Sequence, residues 1–473
     1  MKDLFVMMPE IVLLTLSCLC LIVDLYLPKG ARVVTYMLSQ CTLIVTAICC
    51  VFFAHSENFT AFNQFVADPF AQTIKIFILG LVFLVFLYSR SYVRDRDMSY
   101  GEFHILTLFS TLGMLCLVSA KSLLIIYLGL ELLSLPLYTL VALRKDSGLG
   151  VEASMKYFVT GALASGMLLY GISLLYGLSG SIQLSDIATF VQNAQQGALQ
   201  ATLFALVFII AGFAFKLGAV PFHMWLPDVY EGAPTNITLL VGSAPKLAAF
   251  GMAYRLLHDA LPGAAVQWSQ VLMVLALLSL AIGNIVALSQ TNIKRLLAYS
   301  TIAQIGYFLL ALLVAPHIGY GAAMYYLVAY TLVFVAAFGI ILLLSRQGFD
   351  AQKLSDLKGL AQRSPWFAFI MLLVAFSLAG VPPTIGFYAK FIVLSALVDA
   401  GYTWLAATAV VFSIIGAFYY LKIIRVMYFE PAELPYPVTG PLDFRWVLSL
   451  NGIAILALGM FPASLYMICQ GAF

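Results

Sequence analysis

The sequence predicts an all-α polytopic membrane protein, and three observations carry that prediction. Of its 473 residues, 63% are hydrophobic and 14% aromatic. Charged residues are 10%, where a soluble domain carries about 25%, too few to cover a soluble surface. The apolar residues gather into fourteen runs, each close to the roughly twenty residues that an α-helix needs to cross hydrocarbon. These features exclude an ordinary soluble enzyme, a disordered chain and a basic nucleic-acid binder. The net charge of +3 says nothing by itself about partners.

In order, the expected segments are 8–27, 33–54, 70–89, 103–120, 122–142, 153–177, 200–220, 237–257, 270–289, 297–315, 320–344, 366–397, 403–427 and 445–468. The first follows a single Lys2 and contains Pro9 and Glu10, so it reads as a retained helix, not a cleaved signal peptide. The fifth carries Glu131 in mid-run, with Pro136 after it; the sixth opens with Lys156. The seventh holds Lys216 ahead of Pro221, the eighth Pro245–Lys246, and the twelfth Pro382–Pro383 ahead of Lys390. The connections are short, and none has the length of a separate domain.

Basic residues set the orientation. With the N-terminus outside, the inner connections hold Lys29, Arg32, Arg90, Arg94, Arg96, Arg144, Lys145, Lys294, Arg295, Arg346, Lys353, Lys358, Arg363, Lys422, Arg425 and Arg445. The outer side holds Lys2, Lys121 and Arg255. Sixteen against three is a strong positive-inside signal, and it places both termini outside.

Lys75, Lys156, Lys216, Lys246, Lys390 and Glu131 remain within apolar runs. Each such group at the bilayer centre costs about 2.5–3.5 kcal/mol if it faces lipid, so the deep ones should face inward. Every deep one also has a proline close by. A proline frees the carbonyl four residues before it, here those of Leu132, Leu217, Val241, Leu378 and Ala379. Within a membrane those carbonyls need a partner, which water or a lysine ammonium supplies. Glu131 is the deep carboxylate and Lys216 its natural mate. Unit charges ~10 Å apart at an effective dielectric of ~20 interact by about 1.7 kcal/mol, enough for protonation of one lysine to drive release from the next.

Other candidates have two readings. Lys156 lies beside Glu152 and fits a relay group or a side chain snorkelling to the inner surface. Lys75, near an outer helix end, is expected to snorkel. His223 and Asp228 lie in "PFHMWLPDVYEGAPT", read as an inner loop, where they form a proton entrance or cap helix ends. The seven cysteines include no CxxC pair, and no histidines sit as paired axial ligands at membrane depth. The chain is therefore expected to hold no redox centre and no metal.

Two stretches match at an offset of 169: Ala153–Val159 over Ala322–Val328, with Tyr138 over Tyr307. The proline-interrupted helices around Lys216 and Lys390 also correspond. A five-helix unit repeats, and its odd count inverts the second copy, the organisation of transporters that relay ions near the midplane. The expected divisions are 1–102 (three N-terminal helices), 103–258 and 270–427 (the two repeats), and 428–473 (a last helix).

The motifs "LGLELLSLPLYTL", "EASMKYFVTGALASG", "KLGAVPFHMWLPDVYEGAPT", "KRLLAYSTIAQIGY" and "GFYAKFIV" resemble the antiporter-like subunit family of bacterial NADH–quinone oxidoreductase, respiratory complex I, and within it the subunit N type. The resemblance implies fourteen helices with discontinuous seventh and twelfth ones. It implies a proton relay through Glu131, Lys216, Lys246 and Lys390. It places FMN, iron–sulfur clusters and quinone in partner subunits, and other membrane subunits of the complex as neighbours. Where some relatives carry an ionisable residue in the tenth helix, this sequence has Gln304, so the middle of the relay is left to Lys246 and solvent. A multi-subunit Na⁺/H⁺ antiporter or membrane hydrogenase subunit, or a passive structural subunit, is the competing expectation.

Overall fold

The computed structural model describes residues 2–28, 33–52, 59–96, 98, 100–345, 348–432 and 440–473. Lys29, Arg32, His55 and Arg346 lie outside them. Among the described residues, thirteen helices are long and apolar enough to cross a membrane, from Met8–Tyr26 to Leu442–Met460. They fall on thirteen of the expected segments. The remaining one, 366–397, is divided into Pro365–Ala379 and Ile385–Asp399. The chain is a nearly all-helical multi-pass membrane protein. Among the described residues there is one small sheet, a hairpin between the second and third segments, Phe59–Ala61 against Phe65–Ala67.

Several helix starts follow from side-chain caps. Asp68 accepts from the Ala71 N–H with Pro69 in the first turn, Ser122 accepts from Ile125, Ser147 from Gly150, and Asn292 from Lys294 and Arg295. Thr235–Ala260, Ile293–Pro316 and Gly321–Leu344 are the most enclosed spans, with 100%, 94% and 89% of their apolar windows buried. Met8–Tyr26 and Leu442–Met460 are the least enclosed, at 28% each. The eighth, tenth and eleventh segments therefore form the centre of the bundle.

The seventh segment runs further than its hydropathy indicates. Gln196–Leu217 ends at Gly218, whose φ of 79° is left-handed, and a second helix, Trp225–Gly232, follows the turn. The stretch read as an inner loop is thus half helix. Pro221 interrupts the ladder, while Trp225, Leu226, Val229 and Tyr230 give the continuation a face to bury. The twelfth segment breaks in the same manner at Gly380, φ 87°. The eighth is interrupted at Ser243 and ends in a π-turn, Arg255–Ala260. The fifth stays continuous through Pro136. The fourteenth stops at Met460 and resumes as Pro462–Gln470 instead of running on to 468.

Candidate functional site

A helix that stops inside the membrane leaves its last carbonyls in need of donors. At the seventh-segment break, the Ala214 carbonyl takes the Gly218 and Ala219 N–H groups, both at 2.9 Å. The Phe215 carbonyl accepts Trp225 Nε1 at 2.9 Å. The next two, of Lys216 and Leu217, accept Lys246 Nζ at 3.1 and 2.7 Å. At the twelfth-segment break, the Phe376 carbonyl takes the Gly380 and Val381 N–H groups at 2.9 Å each. The carbonyls of Leu378 and Ala379 accept Lys390 Nζ at 2.9 and 3.0 Å. Three of the carbonyls freed by proline, those of Leu217, Leu378 and Ala379, are therefore held by lysine. Both amines are buried and sit at the negative end of a helix dipole, where a cation is favoured.

Lys216 is buried too, but among the described residues its Nζ has no hydrogen-bond partner. It lies 5.3 Å from the centre of the Tyr138 ring and 5.8 Å from that of Tyr157. Lys246 lies 5.3 Å from the Trp225 ring, and Tyr157 stacks on Trp225 at 4.4 Å. The two amines thus flank a stacked aromatic pair. Glu131 is half-buried and within electrostatic range of Lys216, yet among the described residues it forms no ion pair. The expected mates are neighbours and not a contact pair.

Gln304 is better connected than a simple water-holding side chain. Its Nε2 donates at 3.0 Å to the Leu378 carbonyl that Lys390 also holds, and at 3.2 Å to Tyr420. Its Oε1 accepts from the Tyr326 hydroxyl. Ser300 and Tyr420 are hydrogen-bonded at 2.6 Å, and Tyr330 donates to Thr301 at 2.8 Å. A cavity with room for about one water lies among Gln304, Tyr326, Tyr330 and Ser377. Ser413 takes a third bond from Lys390 at 3.1 Å.

The remaining candidates divide. Lys156 is half-exposed and bridges Glu152 and Asp228, each at 2.8 Å. Asp228 also holds Arg295 at 2.8 Å, and Arg295 holds Glu231 at 2.9 Å. His223 is buried in the turn between the two halves of the seventh segment, with Nδ1 unpartnered among the described residues. Lys75 does not snorkel. It is fully buried and paired with Glu10 at 2.7 Å, and Glu10 also accepts from Ser119 at 3.0 Å. A carboxylate brought to it within the bundle makes burial cheaper than reaching the interface. Glu131 is accordingly not alone as a buried acid. Lys294 and Arg255, counted with the inner-side and outer-side basic residues, are buried as well. Lys294 caps the Ala233 carbonyl at 2.6 Å, and Arg255 binds Asp68 and Asp259 at 2.8 and 3.0 Å. Among the described residues no group of three or more His, Cys, Asp or Glu side chains is placed to hold a metal ion.

Broken helices capped by buried amines inside a polytopic bundle define an antiporter-like membrane protein. Residues 120–416 match the family described as "NADH:quinone oxidoreductase/Mrp antiporter, TM". NADH-quinone oxidoreductase subunit N of Thioalkalivibrio sulfidiphilus is 50% identical over 471 residues, covering 99% of this chain and 98% of that one. A chain of respiratory complex I from Thermus thermophilus, solved with bound aureothin, superposes with a TM-score of 0.83 at 31% identity, over 98% of this chain and 99% of that one. A chain of the Mrp complex from Dietzia sp. DQ12-45-1b shares the fold, with a TM-score of 0.85 at 22% identity over 100% and 96% of the two chains. The chain belongs to the NADH-quinone oxidoreductase subunit N family.

Proposed function

We propose that this chain carries protons across the bacterial inner membrane as a subunit of NADH:quinone oxidoreductase, with both termini on the outer side. Its route runs through Glu131, Lys216 and Lys246, then the Gln304–tyrosine network, to Lys390, with Lys156 and His223 towards the inner mouth. Electron transfer, with its FMN, iron–sulfur clusters and quinone, belongs to partner subunits; the neighbouring antiporter-like and small membrane subunits deliver its energy. The observation that carries this reading is that one buried lysine caps the last two carbonyls at each of the two breaks.

An ammonium has three N–H donors. Lys246 uses two on the carbonyls of Lys216 and Leu217, which leaves one for transfer. A proton arriving on Lys216 places a like charge beside Lys246 and favours release from it. Release also weakens the charge-assisted bonds to those two carbonyls, so the end of the broken helix registers the charge. Each proton moved outward works against about 2.3 kcal/mol per 100 mV, within reach of such steps.

The test is Lys246→Ala in the intact complex. NADH-driven proton uptake into inverted vesicles should fall at least about tenfold, a barrier of roughly 1.4 kcal/mol, while the complex assembles with its flavin. Wild-type pumping would overturn the relay. Failure to assemble would favour a structural role.

A further inference from the structure

Away from the charged axis, a groove of about 490 Å³ opens on the surface of the bundle between the first half of the twelfth segment and the fourteenth. Trp366, Phe367, Trp446 and Leu450 form its walls, and Arg445 stands at its rim. Two features define what fits. Its walls end in exposed indoles, Trp366 and Trp446, and the first is fixed by a 2.8 Å bond from Nε1 to Ser449 Oγ. An indole has an apolar body and one N–H donor, which suits the headgroup level of a bilayer. The second feature is the cation. Arg445 has no carboxylate partner among the described residues, because the adjacent Asp443 is held by Arg90 at 3.2 Å. Its guanidinium lies 5.6 Å from the Phe367 ring. A fork of N–H donors thus stands over an apolar slot, at the end of the bundle that carries Arg90, Lys358 and Arg363.

Guanidinium takes phosphate by two parallel hydrogen bonds, and an acyl chain matches the slot. We propose that this groove binds one anionic phospholipid, with its phosphate on Arg445 and a chain lying along Trp366, Phe367 and Leu450. The site is separate from the proton route and stands whether or not that route is correct.

The intact complex, reconstituted in phosphatidylcholine vesicles, is probed with a photoreactive phosphatidylglycerol. Label is expected on peptides containing Trp366 or Trp446. It should fall about fivefold in Arg445→Gln, and should also fall in Leu450→Trp, which fills the slot and keeps the cation. NADH oxidation should be unchanged in both variants. Competition by unlabelled cardiolipin against phosphatidylglycerol identifies which anionic lipid is preferred. Equal labelling by a photoreactive phosphatidylcholine, equal labelling of Arg445→Gln, or a polypeptide of a neighbouring subunit cross-linked into the groove would overturn the proposal.

Discussion

The ammonium of Lys246 rests on the carbonyl of Leu217, 2.7 Å away, and Lys390 bears the same relation to Ala379 at 3.0 Å. Each acceptor is the last carbonyl before a left-handed glycine, Gly218 or Gly380. One amine reaches across from the following segment; the other folds back from the second half of its own.

Lys390→Ala removes donors from two buried carbonyls at once. The carbonyls of Leu378 and Ala379 keep bonds from Gln304 at 3.0 Å and Ser413 at 3.2 Å, so what the break loses is its buried cation and the two charge-assisted bonds that cation makes. Proton uptake driven by NADH is expected to drop about tenfold or more, with Lys390→Arg recovering part of it. Ser413→Ala, which removes one of three partners, should have the smaller effect in the same assay.

Gln304→Leu disconnects Tyr326 and Tyr420 from the Leu378 carbonyl. Pumping should fall severalfold while flavin content and assembly stay normal, and Tyr326→Phe should fall in the same direction. Gln304→Glu keeps an acceptor for Tyr326 and should retain more activity than Gln304→Leu. Wild-type rates in both Gln304 variants would remove Gln304 from the route.

Breaking the Glu10–Lys75 pair should act on stability instead. Removing one partner of a buried pair costs about 3–5 kcal/mol, whereas replacing both with apolar residues costs far less. Lys75→Met alone should lower the thermal unfolding temperature of the purified complex, and Glu10→Leu with Lys75→Met should recover most of it. Pumping per assembled complex should not change.

Asp228→Asn tests the half-exposed cluster. Exposed ion pairs contribute about 0–1 kcal/mol, and Lys156 keeps Glu152 while Arg295 keeps Glu231, so thermal stability should shift little. A large loss of pumping with unchanged stability would assign Asp228 to the inner entrance rather than to a cap.

Glycine packing offers a steric probe of the twelfth-segment break. A Cβ on Gly386 would lie 2.0 Å from the Ser377 carbonyl oxygen, while one on Gly80 meets nothing within 4 Å. Gly386→Ala should therefore disrupt the break and pumping, and Gly80→Ala should be silent in the same vesicle assay.

The crossings are legible in the sequence because an apolar run of bilayer length is a local property. The capped carbonyls are legible for the same reason, since a proline acts on a position fixed four residues away. The partners are harder. Glu10 and Lys75 lie on different helices, and no spacing announces that Lys75 is met by an acid rather than by water. Asp228 meets Lys156 and Arg295 only once three segments have packed. His223, Pro227, Asp228 and Glu231 lower the local hydropathy, so the second half of the seventh segment reads as a connection although Trp225 and Tyr230 bury it. Gln304 reads as a gap in a titratable chain because its bonds come from the eleventh, twelfth and thirteenth segments.

The acceptors at both breaks are main-chain atoms, which no substitution can delete. A lineage could therefore relocate the amine from one neighbouring helix to another and keep its electrostatic seat. Where a homologous chain has lost a lysine at one of these positions, the place to look for its replacement is any side chain long enough to reach the same pair of peptide oxygens.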